Sequence, residues 1–184
     1  MSRLQDAFEI AKKYQHGFTR KDGVTPYICH NMDLLLTGLA YGVHDEECQC
    51  LFMTHDIFEE LEDHGKADLI PQAEKEIKNK LGFWFYAMTW ELTKSPGQDK
   101  DQYMLKFART KEIPLLVVKS IDRICNVRSF YLEQKETGYY KTYSNKANGL
   151  YERAAQILSQ ECIYSKLQQD LMRLRNDDFL VLGE

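Results

Sequence analysis

Apolar residues recur at helical spacing along most of the chain. Leu4, Ala7, Phe8 and Ala11 follow the i, i+3, i+4, i+7 rhythm of an amphipathic helix, with Tyr14 as its extension. A polar, turn-rich loop over residues 16–26 follows, carrying Gly17 and Gly23. The pattern predicts a second helix over 31–41, with Asn31 as N-cap and Gly42 as its stop. Asp45 is placed to cap a third helix running to about residue 61, with Cys48, Leu51, Phe52 and His55 on its inner face. Gly65 breaks the chain, and residues 72–92 read as one long helix with Phe83, Trp84, Phe85 and Trp90 as core.

Ser95-Pro96-Gly97 is a turn signal, and a further helix is expected over about 99–109. Pro114 suits the first turn of the next one. The run Leu115-Leu116-Val117-Val118 is short and branched enough to be a buried strand, but the helical pattern continues past Arg128. Gly138 punctuates, and two helices fill residues 140–176. The expectation is one all-α domain over 1–184, of about eight helices, with a motif-bearing core over about 4–131 and a helical extension over about 138–176. No repeat, low-complexity tract or strong linker interrupts it.

Composition changes this picture little. Of the 184 residues, 43% are hydrophobic and 28% charged, as in soluble globular proteins. No apolar run approaches the roughly 20 residues of a membrane span. The start, Met1-Ser2-Arg3-Leu4-Gln5-Asp6, has no signal-peptide core, so a cytoplasmic location is expected. A net charge of −4 and a pI near 5.8 argue against broad binding to nucleic acid, though not against a small phosphorylated ligand in a local basic pocket. Five cysteines (Cys29, Cys48, Cys50, Cys125 and Cys162) include no CxxC pair and read as reduced thiols.

Candidate chemistry begins with Thr54-His55-Asp56-Ile57-Phe58-Glu59-Glu60. On one continuous helix Glu59 lies four residues after His55 and three after Asp56, and Glu60 lies four after Asp56, so the four groups share a face. Carboxylates crowded among apolar residues repel one another unless a cation or partner relieves them. The alternative is a solvated acidic face, since Glu62 and Asp63 continue the run. Asp122, Asn126 and Ser129 form a second polar stripe on a strongly apolar helix, and Asp122 needs a partner there: a metal, Arg123 or a histidine. His30, just before the second helix, is a ligand or a structural histidine. Together His30, His55, Asp56 and Asp122 make a mixed nitrogen and oxygen set, suited to manganese, iron or zinc rather than calcium. Such an ion would lower the pKa of a bound water and polarise a phosphoryl oxygen. In the loop Phe18-Thr19-Arg20-Lys21-Asp22-Gly23, Arg20 can stack on a base or fork onto phosphate and Lys21 supplies a point charge, unless the segment is only a charged surface turn.

The order of these motifs is specific where each alone is not. His16 to Gly23, then Pro26-Tyr27-Ile28-Cys29-His30, then His55 to Glu60, then Thr93-Lys94, then Lys119 to Ser129 together resemble the HD-domain hydrolases of the RelA/SpoT type, which remove the 3′-pyrophosphate of the alarmone (p)ppGpp. The chain has no room for their synthetase and regulatory domains and so resembles the stand-alone small alarmone hydrolases. The resemblance implies an HD-type helical bundle and a guanine nucleotide as substrate. It implies His30, His55, Asp56 and Asp122 as ligands of Mn²⁺ or another divalent metal, and Glu59 and Glu60 as the acidic pair that positions water and handles protons. Arg20 and Lys21 would meet base and phosphates, and Tyr27, Asn126 and Ser129 would line the nucleotide pocket. Homo-oligomerisation is left open.

The chain departs from the family pattern at Asn31, where proline is usual, at Glu60, where aspartate is usual, at Ile124-Cys125, where Leu-His is usual, and in the spacing of the loop before His30, by about one residue on either side of Arg20. These departures leave the ligands intact and bear on substrate choice. Two other readings therefore stand beside alarmone hydrolysis. One is hydrolysis of a deoxynucleotide, a dinucleoside polyphosphate or NADPH; the other is a nucleotide sensor without turnover.

Overall fold

Ser2 opens the first helix, α1 (Arg3–Tyr14), its hydroxyl accepting from the Gln5 amide at 3.2 Å, and Lys12 and Lys13 sit at the negative end of the helix dipole. The computed structural model describes residues 2–158 and 165–176; Cys162 lies outside them. Among the described residues the architecture is all α. After α1 come α2 (Ile28–Ala40), α3 (Glu46–Thr54), α4 (Ile57–Asp63), α5 (Ile70–Lys80), α6 (Phe83–Leu92), α7 (Lys100–Arg109), α8 (Ile113–Gln134), α9 (Tyr139–Asn145), α10 (Asn148–Leu158) and α11 (Ser165–Arg175). The extended pairing described is a single bridge, Thr19 to Pro26, in the loop after α1.

The chain groups into two compact units, Met1–Leu36 with His44–Gly97, and Thr37–Val43 with Gln98–Glu184. In the first, α1 packs on α3 and α5, and α6 packs on both of these. Ile10, Leu51, Phe52, Phe58, Leu61, Ile77 and Leu92 are fully buried there. In the second, α10 packs on α7, α8 and α11, and α8 on α9. Tyr151 and Phe107 are its largest buried side chains. Cys29, Cys48, Cys50 and Cys125 are free thiols.

Several expected boundaries move, each for a local reason. The second helix starts at Ile28, not Asn31. Asn31 is no cap: it is fully buried inside the helix, and its amide donates to Gln15 Oε1 at 2.8 Å and to the Met53 carbonyl at 2.9 Å. A buried amide must find such partners, and these tie α2 to the end of α1 and to the last turn of α3. Asp45 does cap α3, accepting from the Cys48 amide at 2.9 Å. That helix stops at Thr54, however, and α4 begins only at Ile57.

The expected helix over 72–92 divides at Gly82, whose φ of +109° lies in a region open to glycine. The amides of Leu81 and Gly82 both return to the Ile77 carbonyl there. The Leu115 to Val118 run is helical, inside α8. The segment after Gly138 forms three helices where two were expected, so the total exceeds eight.

Candidate metal centre

The break between α3 and α4 makes the site. His55 still has helical backbone angles and donates its amide to the Leu51 carbonyl at 2.9 Å. Asp56 does not (φ −112°, ψ 8°), and it occupies the N-cap position of α4 without capping it. Its side chain turns elsewhere. Asp56 Oδ2 accepts the Tyr27 hydroxyl at 2.7 Å and stands 2.9 Å from His55 Nε2. The shared face inferred from one continuous helix is therefore replaced by a corner, with His55 ending one helix and Glu59 and Glu60 in the first turn of the next.

His30, in the first turn of α2, reaches the same corner. Its ring lies 5.4 Å from that of His55 and edge-on to Tyr27 at 5.7 Å. Candidate ligand atoms of His30, His55 and Asp56 all lie within 4.8 Å of one another. Both histidines are buried, at 5% and 0% exposure.

The hydrogen bonding of His55 tests whether a cation fits. His55 Nδ1 lies 3.0 Å from the Phe52 carbonyl, which can only accept, so Nδ1 carries the proton. In the neutral ring Nε2 is then a lone-pair donor aimed at a carboxylate oxygen. Two lone pairs at that distance repel unless a proton or a cation lies between them. A ligating histidine typically has its other ring nitrogen fixed in this way. The two imidazoles and one carboxylate thus fit a divalent transition metal.

The acidic pair stands beside the triad. Glu59 accepts the Lys94 amide at 3.2 Å. Burial first, and the Asp56 charge second, push Glu60 up to about 8, against a smaller opposing hydrogen bond with Tyr27. Tyr27 is itself held well above its usual range, by burial and then by Asp56 and Glu60. Its hydroxyl therefore stays protonated and serves as a donor to Asp56.

Arg20 is half-buried, its guanidinium 5.7 Å from the Tyr27 ring centre, and Lys21 is exposed. Their loop is well fastened. Arg20 donates its amide to the Thr25 carbonyl at 2.8 Å, and Asp22 Oδ1 accepts the amides of Val24 and Thr25, each at 2.9 Å.

Asp122, Asn126 and Ser129 belong to the second unit. Asp122 is 3% exposed; its Oδ2 meets Lys119 Nζ at 2.9 Å and its Oδ1 accepts the Asn126 amide. Lys119, Asp122 and Asn126 form one stripe of α8, each one turn from the next, and Ser129 is half-buried a turn further on. Lys119 is the partner that sequence reasoning passed over among metal, Arg123 and histidine, although its i, i+3 spacing to Asp122 was visible. Arg123 instead lies over the Tyr143 ring at 4.1 Å.

Comparison with solved structures bears on the fold. The chain is similar to a metazoan ortholog of SpoT that hydrolyzes ppGpp and plays a role in starvation responses, with a TM-score of 0.71 and 14% sequence identity over 98% of each chain. The two share a fold. No family model and no curated protein matches the sequence.

Proposed function

We propose that the chain is a divalent-metal-dependent pyrophosphohydrolase that removes the 3′-diphosphate of (p)ppGpp, giving GDP or GTP and pyrophosphate. The observation that carries this reading is the His30, His55, Asp56 triad beside Glu59 and Glu60. Support comes from the ordered motifs and from the likeness of fold to a protein that hydrolyzes ppGpp.

His30, His55 and Asp56 would hold the cation, and Asp122 is the further ligand that the motif order implies. A divalent cation, with Mn²⁺ the first choice, supplies Lewis acidity toward a phosphoryl oxygen and toward water. Glu59 would orient or deprotonate the attacking water, with Glu60 assisting. Water oxygen bonds to the phosphorus nearest the ribose as the bond from that phosphorus to the 3′ oxygen breaks, and the 3′ oxygen leaves with a proton. Arg20 and Lys21 meet the guanine and the phosphates. The motif order assigns Asn126, Ser129 and Tyr27 to the nucleotide, and the Tyr27 hydroxyl is turned to Asp56. Among the described residues no helix is long and apolar enough to cross a membrane, and we place the enzyme in the cytoplasm.

The test is product analysis with purified protein and Mn²⁺. Pyrophosphate and GDP from ppGpp are the expected products. Intact ppGpp, alongside turnover of a deoxynucleotide, a dinucleoside polyphosphate or NADPH, would transfer the chemistry to another substrate.

A further inference from the structure

His64 is absent from the roles assigned above, yet it touches two of the elements that carry them. It follows α4 directly, four residues after Glu60. Its Nδ1 lies 2.9 Å from the Glu60 main-chain carbonyl and 3.4 Å from Glu60 Oε2. The carbonyl fixes the proton on Nδ1 and takes its hydrogen bond, and the Glu60 carboxylate stands beside that bond at ion-pair distance. The imidazole also lies flat on Phe18, with ring centres 4.0 Å apart and planes 7° apart. Lys66 Nζ lies 4.8 Å from the centre of that Phe18 ring.

Phe18 is the neck of the basic loop. It is 3% exposed, its amide donates to the Gln15 carbonyl at 3.1 Å, and its carbonyl accepts the Tyr27 amide at 2.9 Å. The loop is thus tied to the acidic corner twice. Tyr27 reaches Asp56, and Phe18 reaches Glu60 through His64.

We propose that His64 is a positioning residue that couples the Arg20–Lys21 loop to Glu60, through the stack on Phe18 on one side and the Nδ1–H bond to the Glu60 main-chain carbonyl, with the carboxylate 3.4 Å away, on the other. The inference rests on the proposed roles of Arg20, Lys21 and Glu60, and it gives the glutamate at position 60 a physical partner. The ring does two separable things. Its face holds the loop, and its edge holds the Glu60 main chain beside the carboxylate.

Two variants of the full chain separate them. His64→Ala removes both contacts, whereas His64→Phe keeps an aromatic face and removes the N–H. Amide hydrogen exchange at Arg20, Gly23 and Tyr27 reads the loop without any substrate. It should speed up roughly five- to ten-fold in His64→Ala, the scale of one aromatic pair, and stay near wild type in His64→Phe. With ppGpp and Mn²⁺, His64→Phe should keep KM and lose about ten-fold in kcat, while His64→Ala should also raise KM. Thermal melts accompany both, because a stability effect alone predicts no split between KM and kcat. Unchanged loop exchange in His64→Ala would overturn the coupling, and a wild-type kcat in His64→Phe would overturn the contact with Glu60. If the wild-type protein leaves ppGpp intact, the proposed substrate falls, while the exchange measurement still decides whether His64 holds the loop.

Discussion

Asp56 and Asp122 are both largely withdrawn from water, and their neighbourhoods treat the charge differently. Asp122 sits inside a long helix, where Lys119 one turn before it brings an ammonium to 2.9 Å and Asn126 one turn after it donates an amide. Residues three and four apart on one helix can reach it. Asp56 sits where a helix has stopped. Its contacts there include a phenol and an imidazole, and two more carboxylates follow within four residues. The acidic corner of the first unit thus gathers carboxylates and lone pairs, whereas the second unit's aspartate has an ammonium on its own helix. A corner of the first kind gains most from a metal ion. A cluster of the second kind already holds a cation within its own helix.

Asp56→Asn carries the largest expected effect. It keeps the shape and removes the charge, so metal-dependent turnover should fall to background. Mn²⁺ should raise the melting temperature of the wild-type protein and not that of the variant, because an ion that binds only the folded state stabilises it by mass action. The metal-free variant should be at least as stable as wild type, since Asp56 no longer repels Glu60. A melting temperature in Asp56→Asn that still climbs with Mn²⁺ would mean the ion binds elsewhere.

Lys119→Ala addresses the other side. It leaves Asp122 buried without its ammonium and should cost about 3 kcal/mol in urea unfolding. Adding Asp122→Asn to that variant should restore much of the loss. If both single and double variants unfold at the same urea concentration, the pair is not what neutralises Asp122.

The smallest effect belongs to an ion-pair group at the edge of the first unit. Glu76 accepts Lys13 Nζ at 2.6 Å, Lys80 Nζ at 2.8 Å and the Tyr14 hydroxyl at 2.9 Å. Burial works against its charge, but these bonds together outweigh it and hold the carboxyl down at about 2, against an ordinary 4.5. A lowered folded-state value means that the stabilisation is complete above about pH 4.5 and is lost as pH falls from there toward 2. At this partly solvated site it should amount to about 1 kcal/mol. Glu76→Gln should flatten that part of the stability profile, which urea melts at pH 6 and pH 3 would register. An unchanged profile would show that the network contributes nothing measurable.

Helix positions were legible in the sequence wherever a local rule decides them. The Asp45 cap, the start near Pro114 and the stop at Gly42 depend on residues within one turn. Asn31 misled because its side chain is a good cap and also a good buried donor. Its partners, Gln15 and the Met53 carbonyl, are 16 and 22 residues away. The corner at His55 and Asp56 was equally hidden. Nothing in that dipeptide breaks a helix, and what fills the corner, Tyr27 and His30, comes from another element.

The sequence by itself determined the all-α class, the amphipathic faces and the identity of the chemical groups. Helical periodicity and capping are local, and two histidines with several carboxylates limit the chemistry whatever the fold. Tertiary structure alone decided how those groups are used. It turned a supposed helical face into a corner, aimed His55 Nε2 at Asp56, and laid His64 on Phe18 across 46 residues of chain. Such arrangements depend on packing between distant segments. Hydrophobic periodicity states that a face is buried and does not state against what.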